Sequence, residues 1–242
     1  MNISADERLD DIGRGMKVIQ SSSTPCFSID AVLLADFASE NSPHHVVDLG
    51  TGTGIIPLLL SRRLPEARFT ALELMPVMAA QAARSIALNG LENRIRVVEG
   101  DIKNADSLLG RECADLVVAN PPYYKVGHGR MNRDPVFAAA RQEVSCTLAD
   151  VIVSASALLK SYGRFAMVIR AERVAEAIGY LIKCGLNPGR FRAVQPYCDK
   201  PANLALLEAV KGGKSGLVIM PPLVVYDSPG CYSKEITEIY DR

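Results

Sequence analysis

From residue 46 onward the chain alternates short apolar, β-rich runs with longer helical patterns, and this alternation limits the possible fold more than any other feature. "VVDL" precedes a helical pattern over Ile55–Leu64, "RFTALEL" precedes one over Val77–Leu88, and "RIRVVEG" and "DLVVAN" follow. Later come a helical pattern over Leu148–Leu159, "GRFAMVIR", a second pattern over Val174–Cys184, "RFRAVQP" and "NLALLEAV". Strands separated by helices must be joined by right-handed crossovers, so the expected fold class is α/β, a mostly parallel sheet with helices on both faces. The last two runs have no helix between them, which predicts an antiparallel hairpin at one sheet edge.

Residues 1–45 and 212–242 lie outside the alternation, and neither segment is long enough to build its own core. The expected organisation is an N-terminal appendage (1–45), a main domain (46–211) and a C-terminal extension of that domain (212–242). Charge narrows the partners. Twenty-seven basic and twenty-seven acidic residues cancel, so a nucleic acid would have to be held by a local patch. Cys26, Cys113, Cys146, Cys184, Cys198 and Cys231 show no C-x-x-C pair and no zinc-like spacing with histidine, and are read as reduced, mostly buried thiols. The polar, acidic start "MNISADERLDDIGRG" lacks the pattern of a signal peptide, and no apolar run reaches membrane-spanning length. A soluble cytoplasmic protein with no membrane partner is expected.

"VVDLGTGTGIIPLLL" puts Asp48 at a strand end, then Gly50, Gly52 and Gly54, then a helix start. Glycines there allow a tight turn and close approach of a ligand to the backbone, and the helix start offers free N–H groups. G-x-G-x-G departs from the dinucleotide fingerprint G-x-G-x-x-G, which argues against a nicotinamide cofactor. Glu73 ends the next strand and Asp101 the one after. In an open parallel sheet such ends line one crevice, and three carboxylates there suit a ligand with ribose hydroxyls and positive charge, although acidic residues at strand ends also serve as plain turn caps.

The arrangement resembles the S-adenosylmethionine-dependent methyltransferases of the Rossmann-like class. The resemblance implies a seven-stranded, mostly parallel sheet and S-adenosylmethionine as cofactor, leaving as S-adenosylhomocysteine. It implies Glu73 at the ribose hydroxyls, Asp101 and Ile102 framing the adenine, and the Gly50–Gly54 loop under the methionine portion with Asp48 near its amino group. No catalytic metal is implied.

The fourth strand runs into Asn120, Pro121, Pro122 and Tyr123. Proline cannot continue a ladder and fixes the backbone around it. Asn-Pro-Pro-Tyr is the signature of methyltransferases acting on a planar exocyclic nitrogen, adenine N6 or a glutamine amide. The lone pair of such a nitrogen is delocalised, so two acceptors are needed to hold its protons and turn the lone pair toward the methyl donor. The Asn120 side-chain oxygen and the Pro121 carbonyl are the expected pair, and Tyr123 offers a flat face for a base.

The stretch after the motif carries Tyr124, Lys125, Arg130, Arg133 and Arg141 with His128, against Asp134 and Glu143. Basic residues beside the acceptors would face a phosphate backbone, although such a cluster is also common on plain solvated loops; His128 is read as loop surface. "FSIDAVLLADFA", "NPPYYKVGHGRMNRDPVFAAARQE" and "LVVYDSPGCYSKEITEIY" together resemble the bacterial valine-tRNA adenine-N6 methyltransferases, which modify the adenine 3′ of the anticodon. That resemblance implies a tRNA anticodon stem-loop as partner. Two other substrates share the motif: the glutamine of a release factor, whose enzymes usually carry a longer N-terminal domain, and an adenine of DNA or rRNA, for which DNA enzymes normally add a recognition domain.

Overall fold

The computed structural model describes residues 3–121 and 146–241. The chain opens with a hairpin of β1 (Glu7–Asp11) and β2 (Lys17–Ser21), then α1 (Ile29–Ala38). The alternating region supplies β3 (His45–Leu49), α2 (Ile55–Arg63), β4 (Arg68–Glu73), α3 (Pro76–Leu88) and β5 (Ile95–Glu99). A 3₁₀ turn at Ile102–Asn104 leads into α4 (Ala105–Leu109) and β6 (Ala114–Ala119). Then follow α5 (Leu148–Leu158), β7 (Leu159–Arg170), α6 (Val174–Lys183), β8 (Leu186–Gln195) and β9 (Leu204–Lys211). Short strands β10 (Val218–Ile219), β11 (Leu223–Val224), β12 (Tyr226–Ser228) and β13 (Cys231–Tyr232) precede α7 (Lys234–Asp241).

The main sheet runs β10-β8-β9-β7-β6-β3-β4-β5, with β11 also paired to β8. β5, β4, β3, β6 and β7 are parallel, and β9 is antiparallel to both β7 and β8. The seven expected strands form its body. Two refinements concern the hairpin edge: β9 is interior, between β7 and β8, and the C-terminal segment adds the two-residue strands β10 and β11 outside β8.

Alternation along each strand feeds two apolar layers. Val46, Leu116, Val118, Ala166 and Val168 pack beneath α1, α2 and α7. Val47, Leu49, Val117, Phe165 and Met167 pack against α5 and α6. Helix boundaries have local causes. Pro76 opens α3, where a fixed φ and a missing N–H suit the first turn. Thr147 and Asp150 form a reciprocal capping box at α5, with the Thr147 hydroxyl accepting from the Asp150 N–H at 3.2 Å and Asp150 accepting from the Thr147 N–H at 2.8 Å. Past the end of α2, the Arg94 guanidinium donates to the carbonyls of Ser61, Leu64 and Ala67.

The N-terminal hairpin is fastened to α3 by buried polar groups. The Ile19 N–H donates to the Ser85 hydroxyl at 3.0 Å, and the Gln81 amide donates to the Ile19 carbonyl at 2.7 Å. At the amino-end edge of the sheet, buried Glu208 accepts from Arg164 at 2.7 Å and from Arg190 at 2.9 and 3.0 Å. The Arg190 guanidinium also lies 4.6 Å from the centre of the Phe37 ring.

The cysteines depart from expectation. All six are free, but Cys26, Cys198 and Cys231 are exposed and the other three only half-buried. The exposed three sit in loops or in the small β12–β13 ribbon, outside both apolar layers. Among the described residues, no helix is long and apolar enough to cross a membrane.

Candidate active site

Strand register places the candidate residues. Leu49 lies opposite both Leu72 and Ala119, so the next residue on each strand, Gly50, Glu73 and Asn120, forms one row across the carboxyl edge. Glu99 pairs with Glu73 and continues the row. This is where an open parallel sheet presents ligands.

The glycine loop is folded around Glu73. Glu73 is 7% exposed, and its two carboxylate oxygens accept from the Gly52 N–H at 2.8 Å and from the Met75 N–H at 3.0 Å. Each oxygen keeps a lone pair for a hydroxyl donor. The loop is also pinned to β4, because the Gly50 and Thr51 N–H groups donate to the Leu72 carbonyl at 2.9 and 3.0 Å. At Gly54 the backbone has φ +81°, and a Cβ would sit 3.3 Å from that of Ala82. Only glycine meets both conditions without strain.

Inside this loop lies a set of polar atoms with no partner among the described residues. Both oxygens of Asp48 and the hydroxyls of Thr51 and Thr53 are buried without a completed hydrogen bond. Burial pushes the Asp48 carboxyl up to about 7; the nearby Thr51 hydroxyl opposes the rise without reaching hydrogen-bonding geometry, and the Glu73 charge adds to it. Buried polar groups are normally paired, so four such atoms within six residues mark a place prepared for a charged, hydrogen-bonding group. The ammonium and carboxylate of an amino acid supply what they lack, and Glu73 suits a ribose. The residues therefore fit the S-adenosylmethionine expected from the sequence.

Asp101 already has local work: its carboxylate accepts from the Lys103 N–H at 2.9 Å and caps the 3₁₀ turn. Ile102 is half-buried, and its Cδ1 lies 3.7 Å from where a Cβ on Gly50 would be. The Ile102 carbonyl accepts from Ser154 of α5 at 2.8 Å, which fixes the turn. Asn120 is half-buried and Pro121 buried at the end of β6. Pro122, Tyr123, Tyr124, Lys125, Arg130, Arg133 and Arg141, with His128, lie outside the described residues. The structure thus brings Asp48, Gly50, Gly52, Gly54, Glu73, Ile102 and Asn120 to one edge, with Asp101 beside them. Sequence reasoning missed Thr51, Thr53 and Glu99. The threonines sit between the glycines and read as spacers, and only their burial singles them out.

Comparison with known proteins agrees with this geometry. Residues 28–184 match the family described as methyltransferase small domain. A Porphyromonas gingivalis protein named tRNA1(Val) (adenine(37)-N6)-methyltransferase is 31% identical, over 87% of this chain and 85% of its own length. A protein of the same name from Aeromonas salmonicida is 29% identical over 87% and 86%. Among solved structures, a predicted O-methyltransferase from Agrobacterium tumefaciens superposes with a TM-score of 0.71 at 24% identity, covering 88% of this chain and 95% of that one, which supports the fold. By sequence along most of its length and by the row of residues at its sheet edge, the chain belongs to the methyltransferase small domain family.

Proposed function

We propose that the chain methylates the exocyclic N6 of an adenine in tRNA, the adenine 3′ of the anticodon of a valine tRNA, using S-adenosylmethionine. The observation that carries the reading is the register of β3, β4 and β6, which sets Asn120 beside Gly50 and in one row with Glu73. Cofactor crevice and acceptor turn are then continuous. The names of the Porphyromonas gingivalis and Aeromonas salmonicida relatives point to the same nucleotide. When bound, S-adenosylmethionine supplies an electrophilic methyl group on a sulfonium.

The chain's residues do the rest by position. Glu73 accepts two ribose hydroxyl protons through lone pairs that the Gly52 and Met75 N–H groups leave open. Asp48, Thr51 and Thr53 bind the amino-acid portion, and Asp101 with Ile102 frames the adenine ring. Asn120 and the Pro121 carbonyl hold the two protons of the target amine, which strips it of solvent and aims its lone pair. Pro122 stiffens that turn. Tyr123 stacks on the flipped base, with Tyr124 beside it, and Lys125, Arg130, Arg133 and Arg141 meet phosphates. The amine sheds its proton readily once it becomes cationic, so no dedicated base is required.

The test is a single-turnover assay on a valine-tRNA anticodon stem-loop with Asn120→Ala. Methyl transfer should fall on the order of a hundredfold, as for loss of one preorganised polar contact, while cofactor affinity stays as in the wild type. Methylation of a release factor with none of the stem-loop would overturn the tRNA assignment in favour of a glutamine substrate.

A further inference from the structure

The C-terminal stretch "YDSPGCYSKEITEIY" plays no part in the site above, yet its three tyrosines form one column with a fourth from the β8–β9 connection. Tyr197 and Tyr226 have ring centres 5.7 Å apart at 36°, Tyr226 and Tyr232 are 5.2 Å apart at 14°, and Tyr232 and Tyr240 are 5.7 Å apart at 27°. The column is not core: Tyr232 is 42% exposed and Tyr197 and Tyr226 are half-buried. Its inner rings, Tyr226 and Tyr232, each have two ring partners, whereas Tyr197, at one end, has one among the described residues.

The position of Tyr197 gives the column a use. β8 runs parallel to β6, since β9 is antiparallel to both β7 and β8. The end of β8 at Gln195 and the following Tyr197 therefore lie on the same carboxyl edge as Asn120. Three strand spacings separate them, roughly 14 Å at about 4.8 Å each. The connection is held in place: the Tyr226 N–H donates to the Pro196 carbonyl at 3.0 Å, the Lys200 N–H to the Tyr197 carbonyl at 3.1 Å, and the Gln195 amide to the Lys200 carbonyl at 3.0 Å. Between the two places stands Arg170, the last residue of β7, exposed and with no side-chain partner among the described residues. Lys200 is exposed in the β8–β9 connection, 3.3 Å from Asp199.

We propose that Tyr197 is a second stacking platform for RNA, taking an unpaired base that flanks the target, while Arg170 meets a phosphate on the way to Asn120. This rests on the tRNA reading above. A base laid on Tyr197 continues a column already built, so little order has to be created on binding, and a π-face accepts any base. Arg170 adds affinity without sequence preference.

The test measures affinity for the anticodon stem-loop by fluorescence anisotropy, beside cofactor affinity by calorimetry and the thermal midpoint. Tyr197→Ala should weaken RNA binding about tenfold, within the range for one lost base stack, and Tyr197→Phe should bind as the wild type. Tyr197→Leu keeps apolar bulk against Tyr226 and should lose as much as alanine, which separates stacking from packing if the alanine variant folds poorly. Arg170→Gln should lower the slope of affinity against salt by about one. If the alanine and leucine variants bind RNA like the wild type, the column only fastens the C-terminus and the proposal is wrong. If the wild type itself neither binds nor methylates the stem-loop, the tRNA reading falls and this inference with it.

Discussion

Replacing Asp48 by asparagine should make the cofactor-free protein more stable at neutral and alkaline pH while loosening its hold on the cofactor. The carboxyl is fully buried, its oxygens lack partners among the described residues, and burial lifts it from 3.8 to about 7. Below 3.8 the folded and unfolded chains both keep the proton, so the contribution to stability is intact there. Between 3.8 and about 7 only the folded chain keeps it, and the free energy of unfolding falls by roughly 1.4 kcal/mol per pH unit. Above about 7 the whole deficit is present, about 4 kcal/mol. Asparagine has no proton to lose and escapes the deficit. Urea denaturation of both proteins at roughly pH 4 and roughly pH 8.5 reads the effect directly: the variant's advantage should be small at the lower pH and about 4 kcal/mol at the higher. An ammonium group brought to the ionised carboxylate reverses the balance, so wild-type affinity for S-adenosylmethionine should fall by up to about tenfold per pH unit below about pH 7, and the asparagine variant should lack this dependence. An equal advantage at both pH values, or none, would refute the buried, unpartnered carboxylate.

Two other substitutions probe the frame around the site. Gly54→Ala puts a Cβ 3.3 Å from that of Ala82 at a φ of +81° and should cost about 1–2 kcal/mol, the penalty of a left-handed backbone for a side-chain-bearing residue; a thermal midpoint equal to that of the wild type would show that the loop relaxes freely. Glu208→Gln leaves Arg164 and Arg190 without their shared buried anion and should cost about 3 kcal/mol in chemical denaturation, with a loss below roughly 1 kcal/mol meaning that solvent screens the cluster.

Helix periods and β-rich runs made the central fold legible in the sequence. The expected Ile55–Leu64, Leu148–Leu159 and Val174–Cys184 end one residue beyond the observed helices, because a cap residue shares the apolar period of the helix it closes. What escaped was short or polar. β1, "ERLDD", carries four charges in five residues and is a strand only because β2 pairs with it. β10 and β11 are two residues each, too short for any period to register. In the site, Asp48, Glu73 and Asn120 were legible because a polar residue closing an apolar, β-rich run, with glycine or proline within three residues, is a local signal. Thr51 and Thr53 were not, since their importance comes from burial, which the loop creates only after Glu73 has gathered it. Glu73 itself does more than the sequence indicated, anchoring the glycine loop as well as facing the crevice. The tyrosine column unites residues 29 positions apart, Tyr197 and Tyr226, and no spacing rule reaches that far.

The interior place of β9 has a consequence for how the polypeptide is made. β7 contributes "FAMVI", all buried, and on one side it pairs with a strand that begins only at Leu204. The ribosome therefore releases Arg170 a further 34 residues before its ladder partner starts, a delay of roughly 2–7 s at common elongation rates. Through that interval a long apolar strand keeps an open edge, and β8, which emerges first, cannot close it in the native order. The nascent protein is most vulnerable to mispairing in that interval, and the hairpin that ends the sheet is also the step that ends the exposure.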